Sequence, residues 1–191
     1  MRTVLLAAMT AMLATGSPVE GNPKSAVRVI SYGSLQCGDC AVYRRMLDEQ
    51  LLPKYGDRVA FEHRDFPLDK HKWARQAAIA ARHFDTVSAA LGTEFRRWAM
   101  SNIANLAPET FKDKLREWAK AHGTDSGKAV ASLDDAGLAK LVEEDYQDGI
   151  ARGVARTPTV FVNGEPFIET FTADEITKGI DAALAATKTN K

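Results

Sequence analysis

Cysteine is almost absent from this 191-residue chain: there are two, Cys37 and Cys40, both inside one Cys-Gly-Asp-Cys stretch. Cysteines kept to staple loops are spread in several pairs, so a disulfide-dense scaffold is excluded. Charge of one sign is missing as well. Lysine plus arginine and aspartate plus glutamate number 25 each, so the net charge is zero and the balance points to neither nucleic acid nor an anionic membrane surface. The four histidines, His63, His71, His83 and His122, show no H-x-x-x-H spacing, and no second C-x-x-C exists. The cysteine pair read as half of a zinc site therefore lacks the other ligands of a closed site. Away from the N-terminus no apolar run is long enough to span a bilayer. Internal repeats and low-complexity tracts are also missing.

What is present fits one domain, or one domain carrying a large insertion, with 45% hydrophobic residues to bury in a core. Residues 1–17 have the pattern of an export signal: Arg2, an apolar stretch VLLAAMTAML, then the small residues Ala14-Thr15-Gly16. A Pro- and Gly-rich linker, residues 18–25, is expected after it. Export would place the mature chain in the periplasm or outside the cell, where disulfides are made, with no stable membrane insertion.

The compact β-branched run AVRVISY at residues 26–32 predicts a buried strand. A helix is expected from Cys37 to about Gly56, with Val42, Met46 and Leu47 on one face. Alternation over residues 58–66 predicts a second strand. From there to about residue 153 only helical patterns occur. Trp73, Ala77, Ala78, Ala81 and Phe84 form one apolar stripe, and Leu91, Phe95, Trp98 and Ala99 form another. Pro108 is placed to open a helix that Gly123 closes, and Ser132 to cap a helix that Gly153 stops. Strand signals return in TVFV, followed by Asn163-Gly164, a strong hairpin signal, and by Thr172 with Glu175, a capping box before a last helix. The order βαβ, helical block, ββα predicts an α/β chain: a thioredoxin-like sheet with an all-helical domain inserted in it. Its parts are residues 26–68 and 154–187 for the sheet domain, 69–153 for the insertion, and a polar tail at 188–191.

Three segments carry a resemblance: SYGSLQCGDC (31–40), FEHRDFPLDKH (61–71) and RTPTVFVNGEPF (156–167). On them the chain resembles the DsbA-like thiol-disulfide oxidoreductases, a likeness that extends loosely over nearly the whole mature chain. The resemblance implies a redox-active Cys37–Cys40 disulfide. Cys37, at a helix start where N–H groups and the helix dipole favour a thiolate, is the expected exposed nucleophile. Cys40, one turn later and deeper, is the expected resolving thiol. Gly38 and Asp39 shape the site between them. The resemblance further implies a cis Thr157–Pro158 bond facing the sulfurs. Thr157 would offer its backbone to an extended peptide, and Pro158 would bring no N–H donor beside them.

Two departures stand out. Asp39, where strongly oxidising relatives often carry a histidine, should repel the Cys37 thiolate and move the couple by on the order of tens of millivolts toward reducing potentials. Ser31 stands where some relatives have a buried carboxylate, so proton handling at Cys40 passes to water or to another group. His63 and Glu62 are candidates for that role; the plainer account is polarity on the sheet surface. The functional expectation is an exported protein thiol-disulfide oxidoreductase. It would exchange with protein or peptide substrates through a mixed disulfide, be recycled by a membrane redox partner, need no cofactor, metal or nucleic acid, and act more as an oxidase. The alternatives are a reductase or isomerase with the same site, a metal carrier, or a peptide-holding chaperone.

Overall fold

A computed structural model describes residues 18–189. The expected signal segment, residues 1–17, lies outside the described residues, as do residues 190–191 of the expected polar tail. In chain order the elements are β1 (Val19–Gly21), β2 (Arg28–Gly33), α1 (Gly38–Met46), a π-helical turn (Leu47–Leu51), α2 (Leu52–Tyr55) and β3 (Ala60–Asp65). Then come α3 (Ala74–Val87), α4 (Ala89–Ser101), α5 (Phe111–Ala121), α6 (Ser126–Ala131) and α7 (Ala136–Ala151). The chain finishes with β4 (Thr159–Val162), β5 (Glu165–Ile168) and α8 (Ala173–Thr189).

The strands form one sheet in the order β1-β3-β2-β4-β5. β2 runs parallel to β3 and antiparallel to β4, so it is paired on both edges. That position suits a β-branched, nearly uncharged strand, and the period of two sends its residues to two different cores. Val29 packs with Leu47, Leu51 and Tyr55 of the first helical segment and with Ile176 and Ile180 of α8. Tyr32 packs on the other face with Phe66 and Val154. There α7 crosses so closely that a Cβ on Gly149 would sit 2.6 Å from the Phe66 ring, so only glycine fits.

α3 to α7 are inserted between β3 and β4, as the helical periodicity predicts. Trp73, Phe84, Phe95, Phe111 and Trp118 form an aromatic core, and Leu35, Cys37, Cys40 and Ala41 belong to the same apolar cluster. The cysteine segment is thus packed against the insertion as well as the sheet. A buried ionic group adds a polar tie. Arg82 of α3 pairs with Asp65 of β3 at 2.6 Å and with Asp145 of α7, which also accepts the Asp65 N–H at 2.9 Å.

Several local expectations are corrected. Residues 18–25, expected as a linker, contain β1, which pairs antiparallel with the edge of β3 because a short strand there satisfies otherwise open N–H and C=O groups. Ser132 is not the cap of α7; its hydroxyl donates to the Ala129 carbonyl at 2.7 Å. Asp135 caps instead, its carboxylate accepting from the N–H groups of Gly137 and Leu138, and Asp125 caps α6 in the same way. Pro108 lies in a turn before α5, which begins at Phe111. Gly153, with φ of +78°, and Gly123, with φ of +67°, do end their helices. The Asn163-Gly164 hairpin has positive φ at both residues, and Thr172 and Glu175 exchange capping-box hydrogen bonds.

Candidate active site

The loop after β2 closes when the Cys37 N–H donates to the Ser34 carbonyl at 3.0 Å. Cys37 then occupies the N-cap of α1 with extended backbone, and its sulfur accepts from the Cys40 N–H at 3.4 Å. A serine-like capping role therefore falls to sulfur, which puts it among the unpaired N–H groups of the first turn. The Cys37 thiol is pulled down to about 6, chiefly because the Cys40 S–H donates to its thiolate; burial opposes this, and Thr157 and the N–H groups of Cys40 and Asp39 assist. Cys40 behaves oppositely. Burial pushes its thiol well above the usual range, and the neighbouring Cys37 charge adds to that, against the Ser34 N–H at 3.4 Å. Both cysteines are free thiols.

Cys37 is less open than an exposed nucleophile: it is 7% exposed against 2% for Cys40, because Leu35 and the insertion core pack around it. Gly38 and Asp39, between them, are exposed. A Cβ on Gly38 would meet nothing within 4 Å, so this side of the pair is open to a substrate. Asp39 acts on Cys37 through its backbone N–H, while its side chain borders a groove of about 280 Å³ shared with Val42, Met46 and Phe171. Val42, expected on a face with Met46 and Leu47, is half exposed at this groove; the buried face of α1 is Cys40, Ala41 and Tyr43.

The Thr157–Pro158 bond is cis, and the Cys37 S–H donates to the Thr157 carbonyl at 3.3 Å. Pro158 shares a small cavity with Cys40 on the inner side of the pair. The loop after β2, the start of α1 and the entry to β4 are thus brought to one point from opposite ends of the chain.

Other neighbours escape a linear reading. The Ser34 hydroxyl and His71 Nδ1 are 2.7 Å apart, and Gln36 Oε1 accepts from the Trp73 N–H at 2.9 Å. Burial, then the Lys70 charge, holds His71 below the usual histidine range. These bonds moor the loop before Cys37 to the start of the insertion. Ser34 and His71 lie within the segments 31–40 and 61–71, but nothing in linear order pairs them. Among the described residues no three His, Cys, Asp or Glu side chains are grouped to hold a metal ion, and no helix is long and apolar enough to cross a membrane.

The sequence profile of the family described as Thioredoxin matches residues 14–182. Among curated proteins the chain is similar to the Na(+)/H(+) antiporter NhaA of Herminiimonas arsenicoxydans, 24% identical over 174 residues, covering 91% of this chain and 26% of that protein. It is also similar to the putative protein-disulfide oxidoreductase RP025 of Rickettsia prowazekii, 29% identical over 185 residues, covering 87% of this chain and 61% of that one. The chain therefore spans between about a quarter and three fifths of the length of these relatives. Among solved structures, alpha-DsbA1 of Wolbachia pipientis superposes with a TM-score of 0.79 at 18% identity, covering 91% of this chain and 94% of that chain.

Proposed function

The chain belongs to the thioredoxin family, with the DsbA-like arrangement of a helical domain inserted in the sheet, and from this we propose that it is a protein thiol-disulfide oxidoreductase working through Cys37 and Cys40. The observation that carries the reading is the division between the two sulfurs. One thiol is pulled down to about 6 at a helix N-cap beside the cis-proline segment, and the other is buried and held protonated behind it.

In this reading the Cys37 thiolate attacks a substrate disulfide, or a substrate thiolate attacks Cys37 of the oxidised pair. Either route passes through one mixed disulfide at Cys37, which Cys40 resolves or from which it leaves. The peptide lies against the Thr157 backbone, with the groove by Val42 and Phe171 taking an apolar side chain. Stabilising the Cys37 thiolate stabilises the reduced state, which makes the disulfide the stronger oxidant. That favours disulfide formation in exported proteins, with a membrane redox partner restoring the Cys37–Cys40 disulfide, in the periplasm or outside the cell. Asp39 helps through its backbone N–H, and its exposed carboxylate is the group that would pull the couple the other way.

Equilibration with glutathione redox buffers, read by mass after acid quench, tests the direction. A couple more oxidising than the glutathione pool, whose disulfide persists only in strongly oxidising mixtures, supports the oxidase; one well below the pool, still oxidised in reducing mixtures, makes it a reductase; and a pair that forms neither a mixed nor an internal disulfide at any ratio refutes the proposed activity.

A further inference from the structure

A cavity of about 20 Å³ lies on the inner side of Cys40. Its volume is that of about one water molecule, and its walls are polar enough to hold one. Ser31, Gly33, Glu62, His63 and Pro158 share those walls with Cys40. The Cys40 thiol must lose its proton before it can attack a mixed disulfide at Cys37, and must regain one when it leaves. No part of the site described above does this.

The groups facing the cavity differ in what they can do. Glu20 of β1 is paired with Arg44 and Arg97, and Arg44 of α1 with Glu20 and Asp48. Glu62 of β3 is paired with Arg28 and Arg64. Burial first, and neighbouring carboxylates with it, keep the phenols of Tyr32 and Tyr43 protonated. The Ser31 hydroxyl is committed to the Glu62 carbonyl at 3.3 Å. His63 is different. Its Nε2 lies 3.2 Å from Asp65 Oδ1, while among the described residues its Nδ1 makes no hydrogen bond. Asp65 opposes its own burial through the Arg82 charge and stays ionised, so it accepts the Nε2–H and leaves the Nδ1 lone pair free.

The free edge of the ring faces the sulfur across Gly33. A Cβ built on Gly33 would lie 3.5 Å from His63 Cε1, 4.0 Å from Nδ1 and 3.6 Å from Cys40 Sγ. A side chain at this position would stand between the two groups.

We propose that His63, oriented by Asp65, is the base and acid for Cys40, passing the proton through the cavity over Gly33; the inference rests on the exchange reading above. In resolution, the Cys40 S–H proton goes to His63 Nδ1 by way of one water. The Cys40 thiolate then forms the bond to Cys37 Sγ, the bond from Cys37 Sγ to the substrate sulfur breaks, and the substrate leaves as thiolate. Two electrons pass from the dithiol to the substrate disulfide. In the oxidising direction the same steps reverse, and His63 returns the proton to the departing Cys40.

The test uses the reduced full chain and oxidised glutathione, with acid quench and mass analysis resolving two steps: formation of the Cys37–glutathione mixed disulfide and its resolution by Cys40. His63→Gln keeps an N–H for Asp65 but cannot take the proton. Gly33→Ala keeps His63 and fills the passage, its Cβ making ordinary contacts. Both variants should form the mixed disulfide at the wild-type rate. Resolution should be about 100-fold slower near neutral pH in His63→Gln, the size of a lost general base, and clearly slowed in Gly33→Ala. In both, the pH dependence of resolution should change toward a rate that simply climbs with hydroxide. Wild-type resolution with an unaltered pH profile in either folded variant overturns the assignment. If the wild-type chain forms no mixed disulfide at all, the exchange reading itself fails, and this inference with it.

Discussion

Cys37 Sγ lies 3.3 Å from the carbonyl oxygen of Thr157, a contact between residues 120 positions apart in the chain. It joins the start of α1 to the entry of β4, and it puts the proposed nucleophile at the backbone edge proposed for an extended substrate.

The two sulfurs should be functionally unequal. Cys40→Ser should accumulate mixed disulfides with thiol-containing client proteins, because nothing remains to resolve them, and Cys37→Ser should accumulate none. Non-reducing gels of proteins captured from the expressing cells would show this. Equal trapping by both variants would reverse or remove the nucleophile assignment.

Reactivity should follow the Cys37 thiolate. With its thiol near 6, alkylation by iodoacetamide should rise through that pH and level off well before the ordinary thiol value of 9.0. Stability has a definite sign as well. A folded-state value depressed from 9.0 to about 6 stabilises the reduced fold above the unfolded value and loses that contribution as pH falls through 6. Reduced wild type should therefore gain melting temperature relative to reduced Cys37→Ser between pH 6 and pH 9. A constant difference over that window would mean that the Cys37 thiolate is not preferentially stabilised by the fold.

Asp39→His exchanges a negative side chain for one that is neutral or positive beside the same sulfur. The Cys37 thiol should fall further and the disulfide become more oxidising, by on the order of tens of millivolts, with the larger effect at low salt. Thiolate absorbance at 240 nm titrated at low salt (about 10 mM, a long screening length), with the potential measured in parallel, checks this. No change in either would show that the Asp39 carboxylate is screened and only its backbone N–H matters.

Pro158 brings no N–H to the cavity it shares with Cys40. Pro158→Ala adds a donor there, which would favour a thiolate on the inner sulfur and compete with orderly release of substrate. Turnover should drop and client mixed disulfides should persist longer, as read by quenched single-turnover assays. Wild-type turnover in a folded variant would leave Pro158 with a purely structural role.

Local chemistry determines much of this protein. The C-x-x-C pair, the buried strand before it, the Asn163-Gly164 hairpin and the Thr172–Glu175 capping box all depend on residues within a few positions of one another. So do the helical stripes through Trp73 and Phe84, since periodicity is a local property. Ser132 was misleading because a hydroxyl and a carboxylate both signal a cap, and Asp135, three residues on, accepts two N–H groups instead. Neither β1 nor the burial of Cys37 is legible in the sequence. One depends on a free edge of β3, and the other on the insertion core closing over the loop. The pairing of Ser34 with His71 came only from the tertiary structure, as did the 3.3 Å reach of Cys37 to the Thr157 carbonyl, which the resemblance implies only as a facing segment, and the place of Gly33 between His63 and Cys40. Each joins segments whose separation along the chain carries no signal, and it is packing that brings their atoms within hydrogen-bonding or proton-transfer reach.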